Sequence, residues 1–236
     1  MRRFVYIFGM MVLPLLLFTG EATAHRDDYI NESLVYLTVE RSEFEAEYWF
    51  DRGWRRWDRN GFTRHNAAIE WGITDHWMLD GRLTAISDGK TNFDSARLES
   101  RYRFRDEGAF PVDIAVSFEV NSERESDGST TVGIEPRVIL SKDLGEQLNL
   151  TVNLSEEIPL DSGTPEFLLA LAERINMTTL VRIGSEFQYN FEEHSGEAIP
   201  QLWLALPRDI TIKIGYSIGI NKEPDDFLRV ALEVEL

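Results

Sequence analysis

Three arginines at even spacing, Arg97, Arg101 and Arg103, carry the sharpest chemistry in this 236-residue chain. Side chains of an extended strand alternate faces with period two. Arg97, Glu99, Arg101 and Arg103 therefore share one face, and Ala96, Leu98, Tyr102 and Phe104 share the other. A guanidinium presents a rigid fork of donors that matches a carboxylate or phosphate, so such a ladder could bind an anionic solute. The same arginines could instead pair with glutamates on neighbouring strands and brace a wall.

The same alternation places further charges on the polar faces of other segments. The full set of candidate lumen-lining and solute-binding residues is Arg97, Glu99, Arg101, Arg103, Glu119, Glu135, Arg137, Arg182, Glu186, Lys213, Arg229 and Glu233. Both signs are present, a lattice able to bias the passage of ions and solutes.

Other chemistry is sparse. His194-Ser195 is the one adjacent His–Ser pair, a conceivable base and nucleophile for a lipid enzyme, but it falls in a loop and lacks an orienting partner. We expect no catalytic residues. After cleavage of a leader, His25 would offer an amine and an imidazole for copper, with Asp27 and Asp28 nearby. His65, His76 and His194 have no metal-ligand spacing, so neither metal nor cofactor is expected. There is no phosphate-cradling glycine motif and no cysteine, hence no thiol chemistry or disulfide framework.

The elements that must position the charged faces are strands. Leu228, Val230, Leu232, Val234 and Leu236 alternate with Arg229, Ala231, Glu233 and Glu235. Ile210, Ile212, Ile214, Tyr216, Ile218 and Ile220 alternate with Thr211, Lys213, Gly215, Ser217 and Gly219. Counting from Phe44, such segments number about twelve, with short turns at Thr74-Asp75, Lys142 to Glu146, Ile175 to Met177 and Pro207-Arg208. Longer links are expected at Asp51 to Gly61, Ser122 to Ser129, Glu156 to Thr164 and Glu192 to Gly196. Two segments resist assignment: 167–174, where Leu168 and Leu169 leave both faces apolar, and 197–206, where Pro200 interrupts.

A sheet with one aliphatic and one charged face needs hydrocarbon on one side and water on the other. Outward aromatics gather toward strand ends, as with Trp71, Trp77, Tyr102, Phe104, Tyr189 and Phe191, while strand middles are aliphatic. Girdles around an aliphatic belt distinguish a membrane wall from a soluble barrel, whose apolar face points inward. The expected fold is all-β: one antiparallel up-and-down transmembrane barrel, residues 44–236, in the outer membrane of a Gram-negative-type cell.

The chain opens with Arg2 and Arg3, an apolar run from Phe4 to Phe18 and the small-residue site Ala22-Thr23-Ala24. These predict a signal peptide over residues 1–24. Residues 25–43 read as an extension or extra strand, with Val35, Leu37 and Val39 alternating, or as a segment tucked into the barrel. Formal net charge is −17, and loss of the leader makes it −18, an acidity that argues against nucleic acid.

The hairpin Ile69-Glu70-Trp71-Gly72-Ile73-Thr74-Asp75-His76-Trp77 resembles a hairpin of small outer-membrane channel-like proteins associated with the meta pathway of phenol degradation. The terminal strand resembles the insertion signal of outer-membrane barrels, with Leu236 in place of the usual aromatic. The resemblance implies a barrel in contact with outer-membrane lipid and lipopolysaccharide, delivered by the barrel assembly machinery. A channel or binding protein for small solutes is the leading expectation. A plugged or structural barrel, with residues 25–42 occupying the lumen, is the alternative, and a lipid-modifying enzyme a distant third.

Overall fold

Alternating faces become strands wherever the sequence alternates, and the strands close on themselves. A computed structural model describes residues 28–30, 33–55, 60–89, 91–124, 128–161, 163–221 and 225–236. Twelve strands follow in order: β1 (Phe44–Trp54), β2 (Gly61–Thr74), β3 (Trp77–Ser87), β4 (Thr91–Arg103), β5 (Asp113–Arg124), β6 (Thr130–Leu144), β7 (Leu148–Pro159), β8 (Glu166–Asn176), β9 (Val181–Asn190), β10 (Ser195–Leu206), β11 (Ile210–Ile220) and β12 (Asp226–Glu235). Each pairs antiparallel with its sequence neighbours, and β1 pairs with β12, placing Phe50 opposite Val230 and Asp51 opposite Arg229. Closure leaves no free edge, which satisfies every strand's backbone groups without water.

The outer face is the apolar one. Ile69, Leu83, Leu98, Val138, Ile218, Val230 and Leu232 are exposed there. Rings cluster at both ends of the cylinder: Phe44 stacks on Trp71 with centroids 5.8 Å apart, and Tyr102 meets Phe104 edge-on. At the other end Phe167, Phe191 and Tyr189 pack together. This is the expected belt and girdle, a surface suited to hydrocarbon between two interfaces.

Both resistant segments are strands. In β8 Leu168, Ala170 and Ala172 alternate with Phe167, Leu169 and Leu171; Ala172 is buried and Phe167 exposed, so the inner face of this strand is apolar over half its length. Pro200 points outward from β10, where the ladder to β11 skips from Ala198 to Gln201. Pro136 does the same in β6, where the ladder to β7 skips from Ile134 to Arg137. A residue without an N–H is accommodated by a local gap on one side of the strand.

The links correct one expectation. At the end opposite the termini they span only 55–60, 88–90, 125–129, 160–165, 191–194 and 221–225, because the strands run further than alternation suggested. The longest link, 104–112, is at the other end.

What fills the lumen is the segment preceding β1. Residues 28–30 and 33–42 thread the interior without forming a strand. The segment emerges over β2, where the Ser42 N–H donates to the Gly72 carbonyl and the Gly72 N–H to Glu43. A Cβ on Gly72 would sit 1.9 Å from the Glu40 carbonyl oxygen, so the crossing needs glycine at this place.

Candidate functional site: the lumen and its N-terminal segment

Strand pleating dictates which side chains meet inside. The inner face carries Glu47, Asp51, Glu70, Asp80, Glu99, Arg101, Glu119, Glu135, Arg182, Glu186, Lys213, Arg229 and Glu233, all buried. Each of the twelve candidates named from the sequence is on an inner-face position. Arg103 is at the rim on the termini side, where its Nε donates to the Asp75 carbonyl at 2.6 Å.

The interior is divided lengthwise. The N-terminal segment lies against the wall from β5 to β12, where apolar residues interrupt the polar inner face. Leu34 and Tyr36 pack on Ala115 and Ile139; Tyr29 and Val35 on Ala172 and Trp203; Ile30 on Trp49, Ile199, Phe227 and Ala231. Tyr29 meets Trp203 edge-on, with centroids 5.8 Å apart. Burying such side chains stabilises by roughly 1.5–3 kcal/mol each, before the cost of ordering the segment.

Polar contacts fix its position. Tyr29 Oη donates to Asn149 Oδ1 at 2.9 Å, and the N–H groups of Ile30, Ser33 and Leu34 donate to Gln201, Glu186 and Asn153. Arg101 grips Asp28 with two parallel bonds and also reaches the carbonyls of Val35 and Leu37. Lys213 donates to the Asp28 carbonyl and pairs with Glu47 and Glu233. Arg229 holds Asp51 through Nε and Nη2, both at 2.7 Å, while Nη1 donates to the Ile30 carbonyl. Thus Arg101, Glu186, Lys213 and Arg229 hold the segment, with Glu233 behind Lys213.

The opposite side of the lumen, along β1 to β6, is lined by ion pairs. Arg82 reaches Glu47 and Asp80, and Arg137 pairs with Glu135 on its own strand at 2.7 Å. Trp49 is clamped between the Arg82 and Arg229 guanidiniums, 3.7 and 4.3 Å from its ring centroid. Trp49 was not among the candidates named from the sequence; the available signal was a tryptophan alternating in phase with Glu47 and Asp51 on β1.

Three cavities adjoin through shared lining residues, the first and second through Arg97, Glu119 and Arg137 and the second and third through Asp28. An outer vestibule of about 500 Å³ has Arg97, Glu119, Glu135 and Arg137 among its lining residues, with an apolar patch from Leu168, Ala170 and Phe62. It narrows to a gap of about 20 Å³ between Asp28, Tyr29 and Leu34 of the segment and Glu47, Asp80, Arg82 and Glu99 of the wall. Beyond lies a chamber of about 200 Å³ bounded by residues 37–40, Glu70, Met78 and Arg101, near the chain's end at Leu236. The gap has room for about one water molecule.

The remaining sequence candidates are apart from this site. His194 sits in the β9–β10 link with a positive φ, and the Ser195 hydroxyl donates to Glu193 at 3.0 Å, so no His–Ser hydrogen bond forms among the described residues. His25 and Asp27 lie outside the described residues, as does the signal peptide expected over residues 1–24.

The fold is that of the outer-membrane β-barrels. The KdgM porin, solved in complex with disordered oligogalacturonate, superposes with a TM-score of 0.63 at 9% identity, covering 80% of this chain and 98% of that one. An outer-membrane channel from Pseudomonas putida F1 gives 0.61 at 9% identity, covering 85% and 98%. The NanC porin gives 0.59 at 12%, covering 82% and 100%. No family model and no curated relative matches the sequence. At these identities the likeness is one of fold.

Proposed function

We propose that this barrel sits in the outer membrane and handles small polar solutes, admitting them to the outer vestibule and metering passage by its own N-terminal segment. The observation that carries the reading is the series of cavities: a vestibule large enough for a small organic solute, a gap the size of one water, and a second chamber. A solute larger than water passes only when the segment residues at the gap, Asp28, Tyr29 and Leu34, shift. Support also comes from the fold shared with porins and from the Ile69–Trp77 hairpin's resemblance to the meta-pathway channel-like proteins. The barrel carries no covalent chemistry in this reading. Its partners are outer-membrane lipid and lipopolysaccharide, the assembly machinery that inserts it, and the solute.

Reconstitution in planar bilayers tests the proposal. The expected record is small, resolved conductance steps that grow when the segment's anchors are removed. The alternative, a plugged barrel that binds without passing, is favoured by the narrow gap, and silent bilayers with correctly inserted protein would select it.

A further inference from the structure

Beside the vestibule, among β2, β3, β4, β5 and β12, lies a recess of about 260 Å³ whose chemistry differs from its surroundings. Arg64, Arg97, Arg124 and Arg229 line it against two carboxylates, Asp94 and Glu123. The vestibule it adjoins is acidic on balance. Charge alone would not make a site, since Arg229 is committed to Asp51 and Arg97 lies 3.8 Å from Glu119 and from Glu123.

Two donors in the recess wall supply the independent observation. Asn66 is 4% exposed, and its Oδ1 accepts the Thr84 hydroxyl at 2.7 Å. That contact orients the amide and leaves Nδ2 as a buried donor with no acceptor. Arg64 Nε is likewise buried and without a hydrogen bond. Asp94 lies 3.8 Å from this Nε, too far for hydrogen bonding, and Asp51 lies 3.8 Å from Nη1 of the same guanidinium. Buried donors normally find acceptors, and leaving one unmet costs about 1–3 kcal/mol.

We propose that this recess binds an oxyanion, the carboxylate or sulfate-like group of a small solute, with Asn66 Nδ2 and Arg64 Nε as its donors. The inference deepens the solute-handling reading and rests on it, naming the anionic end of the solute and where it docks. A doubly negative oxyanion meets both donors while four guanidiniums supply the field. Asn66, Thr84, Ser95 and Arg229 of its lining are buried on the inner face of the barrel, so the ligand is a dissolved solute rather than a lipid headgroup.

The test is calorimetric titration of sodium sulfate into the full barrel in detergent at constant ionic strength, with chloride as the balancing anion. Saturable binding is expected, weakened at least about tenfold by Arg64→Gln and by Asn66→Leu. Arg208→Gln, an equal charge change at the far end of the barrel, should bind as the parent does. Heat-dependent gel migration verifies that each variant is folded, and Arg64, which is partly exposed, carries the test if Asn66→Leu does not fold. Absence of saturable binding, or equal affinity in all variants, overturns the proposal. Conductance is read separately: steps without sulfate binding remove this site and leave the channel, whereas binding without steps does the reverse.

Discussion

Arg101 on β4 holds Asp28 of the N-terminal segment through two parallel bonds, Nη1 to Oδ1 at 3.0 Å and Nη2 to Oδ2 at 2.7 Å. The Asp28 Oδ1 also accepts the Val35 N–H at 2.7 Å, so the carboxylate ties a turn of the segment to itself and to the wall. A bidentate charge-assisted contact in a buried setting is the strongest kind of polar anchor available here, and breaking it leaves the remaining charge unpaired.

The anchor predicts a local loosening. Asp28→Ala should leave the barrel folded yet make the segment accessible to protease added to intact proteoliposomes, with cleavage before Phe44 at least several-fold faster than in the parent. Identical cleavage rates would deny Asp28 its anchoring role.

Trp49 offers a prediction about stability. Its ring separates two guanidiniums, each already held by a carboxylate, and it packs on Ile30, Phe227 and Ala231. Trp49→Ala removes both cation–π contacts and opens a cavity, for an expected loss of about 3 kcal/mol in reversible urea unfolding from lipid vesicles. Trp49→Phe should recover more than half, because a smaller aromatic face remains. No difference between the two variants would deny an aromatic ring at this position its stabilising role.

The link 104–112 supplies a pH dependence. A hydrogen bond to Asp143, then partial burial, then the charges of Asp143 and Asp113, push the Glu107 carboxyl up from 4.5 to about 7; Tyr36 opposes the shift. Below about pH 4.5 the group is protonated whether the link is docked or free, and its contact is fully present. Between 4.5 and 7 the free form loses its proton first, so docking weakens as pH rises and the loss levels off above about 7. Amide exchange in residues 104–112, corrected for intrinsic rates, should therefore be faster at pH 8 than at pH 5.5. Glu107→Gln should flatten that difference, and an unchanged difference would reject Glu107 as its source.

Strand count, closure and the sorting of faces were legible because period-two alternation is a one-dimensional record of which side meets water. Two devices escaped it. Ile139, Ala172 and Ile199 break the polar phase of the inner face, and each is a seat for Tyr36, Val35 or Ile30. Taken one strand at a time they look like lapses in the pattern; the cylinder makes them one apolar groove. The arginine ladder misled in a similar way. Arg97, Arg101 and Arg103 share a face, yet one lines the vestibule, one grips the segment and one binds a turn carbonyl, because a strand spans the whole depth of the barrel. Asn66 carried no signal at all, since a buried amide lacking an acceptor can be seen only once its neighbours are placed.

In the proposed reading the chain's own N-terminal segment sets the width of its lumen. Single-channel conductance in potassium chloride tests it most directly, comparing the parent barrel with one from which residues 25–42 have been deleted. The account predicts steps at least about threefold larger without the segment, since the gap then opens to the full barrel interior. Equal conductance in two correctly inserted barrels would contradict it.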